Sequence, residues 1–182
     1  FLNWDNIPDA DRIVRYNKQT GVYSALGNGL SGAVNALALA PNGDLYIGGF
    51  FTNAGGVAAA DYICVWNGSS FAAVGVPNTG AAAITNVNAL AFDHSGNLYI
   101  GGSFLNWNNI ANADHIVMWN GTAYSALSTG MGNVVYALAI GLDGSVIIGG
   151  VFNTPSPGVV SWNGSAFVAM DTGISGGTAT VQ

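Results

Sequence analysis

The residues that could carry acid–base, nucleophilic or metal chemistry are few in this sequence. It contains two histidines, His94 and His115, one cysteine, Cys64, and no glutamate. Zinc sites combine several ligands at characteristic spacings, and neither histidine has such a companion. The serines lie in turn-like stretches without the pattern of an activated nucleophile. We therefore predict no catalytic residue, no metal site and no cofactor, with both histidines at the surface and Cys64 as a buried apolar residue.

Two tryptophans offer a different chemistry, the recognition of a sugar ring. Trp4 and Trp107 stand in the closely matching segments 1–7 and 104–110, among Asn and Asp residues. An indole ring can stack on a sugar while neighbouring amides and carboxylates bond its hydroxyls. The alternative is that each tryptophan packs on its own structural unit and seals the next. The predicted ligand-binding residues are Trp4, Asn6, Asp11, Asp61, Trp107, Asn109 and Asp114.

Three of these aspartates, Asp11, Asp61 and Asp114, recur just before a predicted strand. A ring of carboxylates could bind calcium. Recurrence at a turn instead favours a local role, because an Asp side chain can accept hydrogen bonds from nearby backbone amides. We predict the turn role.

The sequence also contains three N-glycosylation sequons, each beginning with the pair Asn-Gly. They start at Asn67, Asn120 and Asn163. Asn-Gly is at the same time a strong signal for a tight hairpin of type I′. Modification of these asparagines is one prediction, and a hairpin whose sequon is incidental is the other.

These residues must be positioned by a repeated β unit. Residues 88–124 form a complete unit, and imperfect copies of it occupy 35–71 and 136–167. The segments of each copy are short, rich in Val, Ile, Leu and aromatic residues, and bounded by Gly, Asn or Asp. This pattern is typical of strands. Four antiparallel strands in a repeat of roughly 50 residues make one blade of a β-propeller.

We therefore predict an all-β fold, a β-propeller of four-stranded antiparallel blades, with about three complete blades and partial blades at both ends. The chain is interpreted as a single propeller segment over 1–182. Its predicted parts are a partial blade at 1–33, blades at 34–86, 87–133 and 134–176, and the start of a truncated blade at 177–182. Because a propeller avoids exposed edges by closing its ring, we expect further blades from a longer parent chain or from other copies of this chain.

The repeat resembles those of a known family. The segment Leu45-Tyr46-Ile47-Gly48-Gly49, a loop, and a strand ending in Trp66-Asn67-Gly68 are similar to the repeats of bacterial kelch-type propellers of secreted or surface proteins. These are distantly similar to the central propeller of galactose oxidase. The first copy departs from the pattern with Tyr16 in place of the tryptophan, and the fourth has a shortened loop at 153–158. The resemblance implies a propeller, a fold that hosts enzymes, lectins, adhesins and scaffolds.

Composition narrows the partners and the location. Three Lys and Arg residues against nine acidic ones give a net charge of −6. No basic footprint for nucleic acid or anionic lipid exists. Turn residues interrupt every apolar run before the roughly 18 residues that a spanning helix needs. We predict no nucleic acid partner, no membrane insertion, and a location outside the cell or at a cell or virion surface.

The function predicted from these patterns is a non-catalytic structural or recognition module of an extracellular surface protein, fibre or phage-like appendage, and not an enzyme. One alternative is a lectin-like propeller that binds glycans through the tryptophan face. A second is the non-catalytic part of a secreted enzyme whose active site lies outside this segment.

Overall fold

The protein is an all-β chain of antiparallel sheets that form the blades of a β-propeller. A computed structural model describes residues 2–75 and 84–170. The predicted opening of a further blade at 177–182 lies outside these residues, as does most of the linker between the second and third blades. Two compact units are present, Phe1–Pro77 and Asn78–Gln182. The prediction of one continuous propeller segment stays a prediction.

The first unit contains one two-stranded sheet and one complete blade. Blade 1 consists of β1 and β2, and blade 2 consists of β3 to β6 in sequential order. The bounds are β1 Arg15–Asn17, β2 Val22–Ser24, β3 Ala33–Leu39, β4 Leu45–Phe50, β5 Ile63–Trp66 and β6 Phe71–Ala73.

The second unit contains two complete blades with the same topology. Blade 3 consists of β7 to β10 and blade 4 of β11 to β14, each again in sequential order. The bounds are β7 Ile84–Phe92, β8 Leu98–Phe104, β9 Ile116–Trp119, β10 Tyr124–Ala126, β11 Val135–Ile140, β12 Val146–Gly150, β13 Val159–Trp162 and β14 Phe167–Ala169.

Each unit has its own apolar core. In the first unit, Ile13, Leu26 and Leu30 of the blade 1 region pack with residues of blade 2 such as Ile47 and Phe51. In the second, the core lies between blades 3 and 4, where the fully buried Ile116, Leu127, Val135, Ile148 and Phe152 take part. The Asn88 side-chain amide also crosses between these blades and donates to the Val135 carbonyl oxygen at 2.9 Å.

The Trp-Asn-Gly hairpins form, although their geometry differs from the predicted type I′ turn. That turn requires a positive φ at both central residues. Only the glycines, Gly68, Gly121 and Gly164, have one, with φ of 97°, 93° and 96°. The Asn side chain shapes the turn instead, because Asn67 Oδ1 accepts hydrogen bonds from the backbone amides of Ser69 and Ser70 at 3.0 and 2.9 Å.

Candidate functional site

The loop that precedes the third strand of a blade has the same construction in blades 1, 2 and 3. In blade 1, whose two strands correspond to the third and fourth strands of the other blades, this loop precedes β1. An aspartate carboxylate accepts the backbone N–H of an asparagine eight residues earlier. Asp11 accepts from Asn3 at 2.6 Å, and Asp61 and Asp114 accept from Asn53 and Asn106 at 2.7 Å each. The structure therefore gives these aspartates the predicted turn role, because one oxygen of each carboxylate is committed to its own loop.

Trp107 does not offer a stacking surface. Its side chain is only 3% exposed and makes edge contacts with the rings of Phe104 and Tyr124, whose centroids lie 4.8 and 5.6 Å away. Its indole Nε1 is buried without a hydrogen-bond partner among the described residues. This corrects the predicted sugar-stacking role for Trp107, and the packing alternative holds for this residue.

The remaining predicted ligand residues lie in two different units. Trp4 is 40% exposed and contacts Tyr23 at a centroid distance of 5.9 Å. Asn6 and Asn109 are exposed in left-handed turns. A ligand role for these residues stays a prediction, since the structure does not gather the seven residues into one site within either unit.

A position that was not singled out from the sequence has an unusual backbone in every blade. The equivalent residue is left-handed in all four copies: Tyr62, His115 and Gly158 lie directly before β5, β9 and β13, and Arg12 lies three residues before β1, with φ of 62°, 59°, 71° and 66°. In blade 3, His115 N–H donates to the Phe104 carbonyl at 2.9 Å, and Gly102 N–H donates to the His115 carbonyl at 3.0 Å. Bulky residues rarely adopt this conformation, and it is informative where they do.

The ring of His115 is oriented by one hydrogen bond. Its Nδ1 lies 3.2 Å from the carbonyl oxygen of Gly102. A carbonyl can only accept, so Nδ1 carries the proton and Nε2 of the neutral ring is the free base. Nε2 has no hydrogen-bond partner among the described residues. The orientation is that of an imidazole ready to accept a proton.

Burial and a carboxylate act on this imidazole in opposite directions. Desolvation lowers the pKa of His115, and the Gly102 carbonyl and the negative charge of Asp114 oppose this shift. The net direction is downward, so the ring is neutral at neutral pH. Asp114 is close enough to stabilise the imidazolium that forms when the ring takes up a proton.

His115 and Asp114 line a cleft between blades 3 and 4. The cleft has a volume of about 340 Å³, and Thr129, Gly132 and Thr154 also face it. A side chain in place of Gly132 would overlap the Thr154 hydroxyl, which would then have to move. Hydroxyl, carboxylate and imidazole groups therefore surround a space within the range of about 300–1,000 Å³ that small-molecule sites occupy.

The other chemically notable residues are placed as follows. Cys64 is fully buried, and burial raises the pKa of its thiol to about 12, which suppresses the reactive thiolate. His94 is exposed in the β7–β8 turn. The sequon residues Asn67, Asn120 and Asn163 are exposed, and their modification stays a prediction. No group of three or more His, Cys, Asp or Glu residues within 2–75 and 84–170 could hold a metal ion.

Sequence reasoning placed His115 at the surface without a function, whereas the structure half-buries it beside a cleft. A comparison of the four repeat copies could have drawn attention to the position of His115. The four copies carry Arg, Tyr, His and Gly at the same position, and such unrelated side chains indicate that the backbone, and not the side chain, builds the turn. The sequence could not show that the ring meets the Gly102 carbonyl.

The fold and this cleft define the class of the protein as a β-propeller with small-molecule-sized clefts between its blades. No protein-family model matches the chain, and no curated protein matches it. Similar solved structures are nevertheless present among propeller-type proteins.

Three of these structures illustrate the likeness. Virginiamycin B lyase from Staphylococcus aureus, as a catalytically inactive variant with quinupristin, is 15% identical with a TM-score of 0.42, covering 71% of this chain and 40% of its own. A gluconolactonase-like protein is 15% identical with a TM-score of 0.48, covering 86% and 65%. The extracellular domain of a one-component system from B. thetaiotaomicron is 16% identical with a TM-score of 0.38, covering 88% and 21%. The chain thus spans less than two thirds of each.

These comparisons correct two predictions. Two of the three neighbours are named as a lyase and as a gluconolactonase-like protein, which contradicts the non-catalytic module and the prediction that the protein is not an enzyme. We withdraw both, together with the lectin-like and non-catalytic alternatives as the function of the whole chain, whereas a glycan partner stays a prediction. Likeness at this level of identity concerns the fold and assigns no substrate. Among the described residues, no helix is long and apolar enough to cross a membrane.

Proposed function

We propose that the cleft lined by His115 and Asp114 is a general-base site that hydrolyses a small, uncharged substrate. The observation that carries this proposal is the single hydrogen bond from His115 Nδ1 to the Gly102 carbonyl, which leaves Nε2 free as a base in the cleft. The lowered pKa keeps that nitrogen unprotonated at neutral pH.

The roles of the residues follow from their positions. His115 Nε2 takes a proton from a water molecule in the cleft, and the water oxygen attacks an ester-like carbonyl carbon. The acyl C–O bond to the alcohol portion then breaks, and the imidazolium returns its proton to the departing alkoxide oxygen, so that a carboxylic acid and an alcohol leave the cleft. Asp114 stabilises the imidazolium that results, and the Gly102 carbonyl holds the ring in place. The hydroxyls of Thr129 and Thr154 are available to orient the substrate. The carboxylate of Asp114 disfavours anionic substrates, because like charges repel.

The experiment is hydrolysis of p-nitrophenyl acetate and longer p-nitrophenyl esters by the wild type and by His115→Asn. Asparagine tolerates the left-handed backbone, so the fold is preserved. We expect kcat/KM to fall about 100-fold or more, in the range that loss of a general base produces. His94→Asn is the matched control and should retain full activity. Equal turnover in the wild type and His115→Asn, or wild-type turnover no faster than free imidazole, contradicts the proposal.

We also propose that the repeats are of the kelch type and that the protein is located outside the cell. Support for the ancestry is the Gly-Gly and Trp-Asn-Gly signatures that blades 2, 3 and 4 share. Support for the location is the scarcity of charge and the absence of a basic footprint. Protease treatment of intact cells that produce the protein tests the location, since only an external propeller is cut.

We also propose that this protein assembles with further copies of itself. Leu37 and Leu39 on β3 are 54% and 67% exposed. The equivalent Leu138 and Ile140 on β11 pack into the core between blades 3 and 4. The apolar side chains of β3 are therefore suited to packing against a further sheet, and we propose that another copy of the protein supplies it.

A further inference from the structure

A second and larger cleft opens between blades 3 and 4 at the opposite strand ends from His115. Its volume is about 500 Å³. The β7–β8, β11–β12 and β13–β14 turns line it, through Asp93 and Asn97, Asp143 to Ser145, and Asn163. In antiparallel blades these hairpin turns lie at one end, whereas the loop before β9 that carries His115 lies at the other. The two clefts are therefore separate sites.

The lining combines aromatic rings with uncharged polar groups. Tyr99 and Trp162 contribute aromatic surface from the largely buried side, and Ser125 and Ser145 contribute hydroxyls. This combination of apolar ring surface with convergent polar groups is typical of small-molecule sites. None of the lining residues is Lys, Arg or His.

Two side chains at the cleft each use one atom for their own turn and leave the other free. Asp143 Oδ1 accepts from the Ser145 backbone amide and hydroxyl at 3.0 and 2.7 Å. Asn163 Oδ1 accepts from the amides of Ser165 and Ala166 at 3.0 and 2.9 Å. Asp143 Oδ2 and Asn163 Nδ2 make no hydrogen bond among the described residues. The turns thus fix a free acceptor and a free donor at the same cleft.

The second carboxylate of the cleft, Asp93, is saturated. Its Oδ1 accepts from the Ser95 and Asn97 amides at 2.8 and 2.9 Å, and its Oδ2 accepts from Asn97 Nδ2 at 2.8 Å. Burial and the negative charge of Asp93 raise the pKa of the Tyr99 hydroxyl. A calcium ion needs six to eight oxygen ligands, and only one free carboxylate oxygen remains here beside an amide donor that repels a cation. A sugar hydroxyl, which both donates and accepts, matches this pair.

We propose that this cleft binds a neutral polyhydroxylated ligand of one or two sugar rings. Asp143 Oδ2 accepts from a ligand hydroxyl and Asn163 Nδ2 donates to another, while Tyr99 and Trp162, which are 6% and 9% exposed, only close the cleft on its buried side. The site is independent of His115 and stands whether or not the first cleft is catalytic. It requires an unmodified Asn163, because a glycan on Nδ2 would occupy the donor.

The test uses protein from a host that does not glycosylate it and a panel of glucose, galactose, mannose, maltose and lactose. Binding is followed by the amide NMR shifts of Gly144, Ser145 and Asn163 at millimolar sugar. Asp143→Asn keeps Oδ1 for the Ser145 turn and replaces the free acceptor with a donor. Asn163→Asp keeps Oδ1 for its own turn and replaces the free donor with an acceptor. Each change should weaken binding about tenfold, the loss that removal of one hydrogen bond to the ligand produces.

Asn67→Asp is the matched control, because Asn67 occupies the equivalent turn of blade 2 and does not line this cleft. It should bind like the wild type. The proposal is overturned if no sugar of the panel shifts these amides, if putrescine shifts them and the sugars do not, or if both cleft variants bind as tightly as Asn67→Asp.

Discussion

The left-handed backbone at His115 is set by hydrogen bonds that its side chain does not make. Gly158 has the same conformation in blade 4, where its N–H donates to the Phe152 carbonyl at 2.9 Å and its carbonyl accepts from Gly150 at 3.0 Å. Because glycine has no side chain, the turn forms without an imidazole. The side chain of His115 is therefore available for chemistry, and its substitution leaves the turn in place.

Protonation of His115 should lower the stability of the fold. Burial lowers its pKa below the ordinary value of 6.5, so folding favours the neutral ring. The contribution to the free energy of unfolding is complete above pH 6.5, where the unfolded ring is also neutral, and it is lost as the pH falls below that value. Urea unfolding of the wild type at neutral pH and on the acid side of 6.5 measures this loss.

His115→Asn is the comparison for that measurement, because it removes the titrating group and tolerates the backbone. The variant should lose less stability than the wild type over the same pH interval. An identical loss in both proteins would show that His115 does not cause it.

At the level of elements, the second strand of each complete blade contains a Gly-Gly pair for a steric reason. A side chain on Gly49, Gly102 or Gly150 would overlap the backbone carbonyl of Ala33, Asn86 or Val134 on the neighbouring first strand. A side chain on Gly101 would meet Val135 of the next blade, with the added carbon 2.5 Å from Val135 Cγ1. The pairs thus allow close approach within a blade and between blades, as the sequence suggested.

Gly102→Ala should lower the free energy of unfolding by about 3 kcal/mol, the upper end of overpacking costs. The physical reason is the overlap with the Asn86 carbonyl, which only a backbone shift can relieve. Gly121→Ala is the control: its φ is 93° and nothing lies within 4 Å of the added carbon. Its loss should be about 1 kcal/mol, from backbone strain alone. Equal losses in the two variants would contradict the steric explanation.

Asp114→Ala should destabilise the loop before β9 by about 2 kcal/mol, because the Asn106 amide loses a charged acceptor at 2.7 Å. Asp114→Asn retains an oxygen for this bond and should cost less. Thermal unfolding of both variants gives the comparison. If Asp114→Asn is as unstable as Asp114→Ala, the negative charge matters more than the hydrogen bond.

The strands were predictable to different degrees. The sequence predicts strands at 45–50, 146–150 and 159–162, and β4, β12 and β13 have these bounds. β8 extends to Phe104, two residues beyond its Gly-Gly pair, since pairing with β7 continues past the glycines. A strand was predicted at 12–16, but β1 is Arg15–Asn17. Pairing with a neighbour sets such ends, and local sequence does not record it.

For the whole molecule, the exposed apolar face of β3 leads us to expect that copies of the protein assemble. Burying a leucine contributes about 1.5–3 kcal/mol, and Leu37 and Leu39 both remain largely exposed. Light scattering of the purified protein should therefore give a particle heavier than the 18.5 kDa chain. Leu37→Asp combined with Leu39→Asp should return it to the monomer mass, since charges on the face oppose burial.

Leu142→Asp is the matched control for this assembly. Leu142 is a fully exposed leucine in the β11–β12 turn, and it belongs to a different unit from β3. The control should keep the wild-type mass. A wild type that is monomeric at every concentration would contradict self-assembly.

The candidate sites were less predictable than the fold. Repetition specifies a propeller, because every copy repeats the same strand and turn signals. A site depends on what differs between copies, such as His115 where another blade has Gly158, or Asp143 where blade 2 has Asn42. The predicted role of Trp107 was wrong because the packing of Phe104 and Tyr124 around it is set by tertiary contacts.

The turn shared by Arg12, Tyr62, His115 and Gly158 also has a consequence for how such a protein changes over generations. A mutation at His115 alters the chemistry beside a cleft while the backbone hydrogen bonds that build the turn stay the same. New activities can therefore be sampled there one residue at a time, with little risk that the chain fails to fold. A combinatorial library randomised at these four positions should yield a much larger fraction of soluble variants than one randomised at Gly49, Gly102 and Gly150.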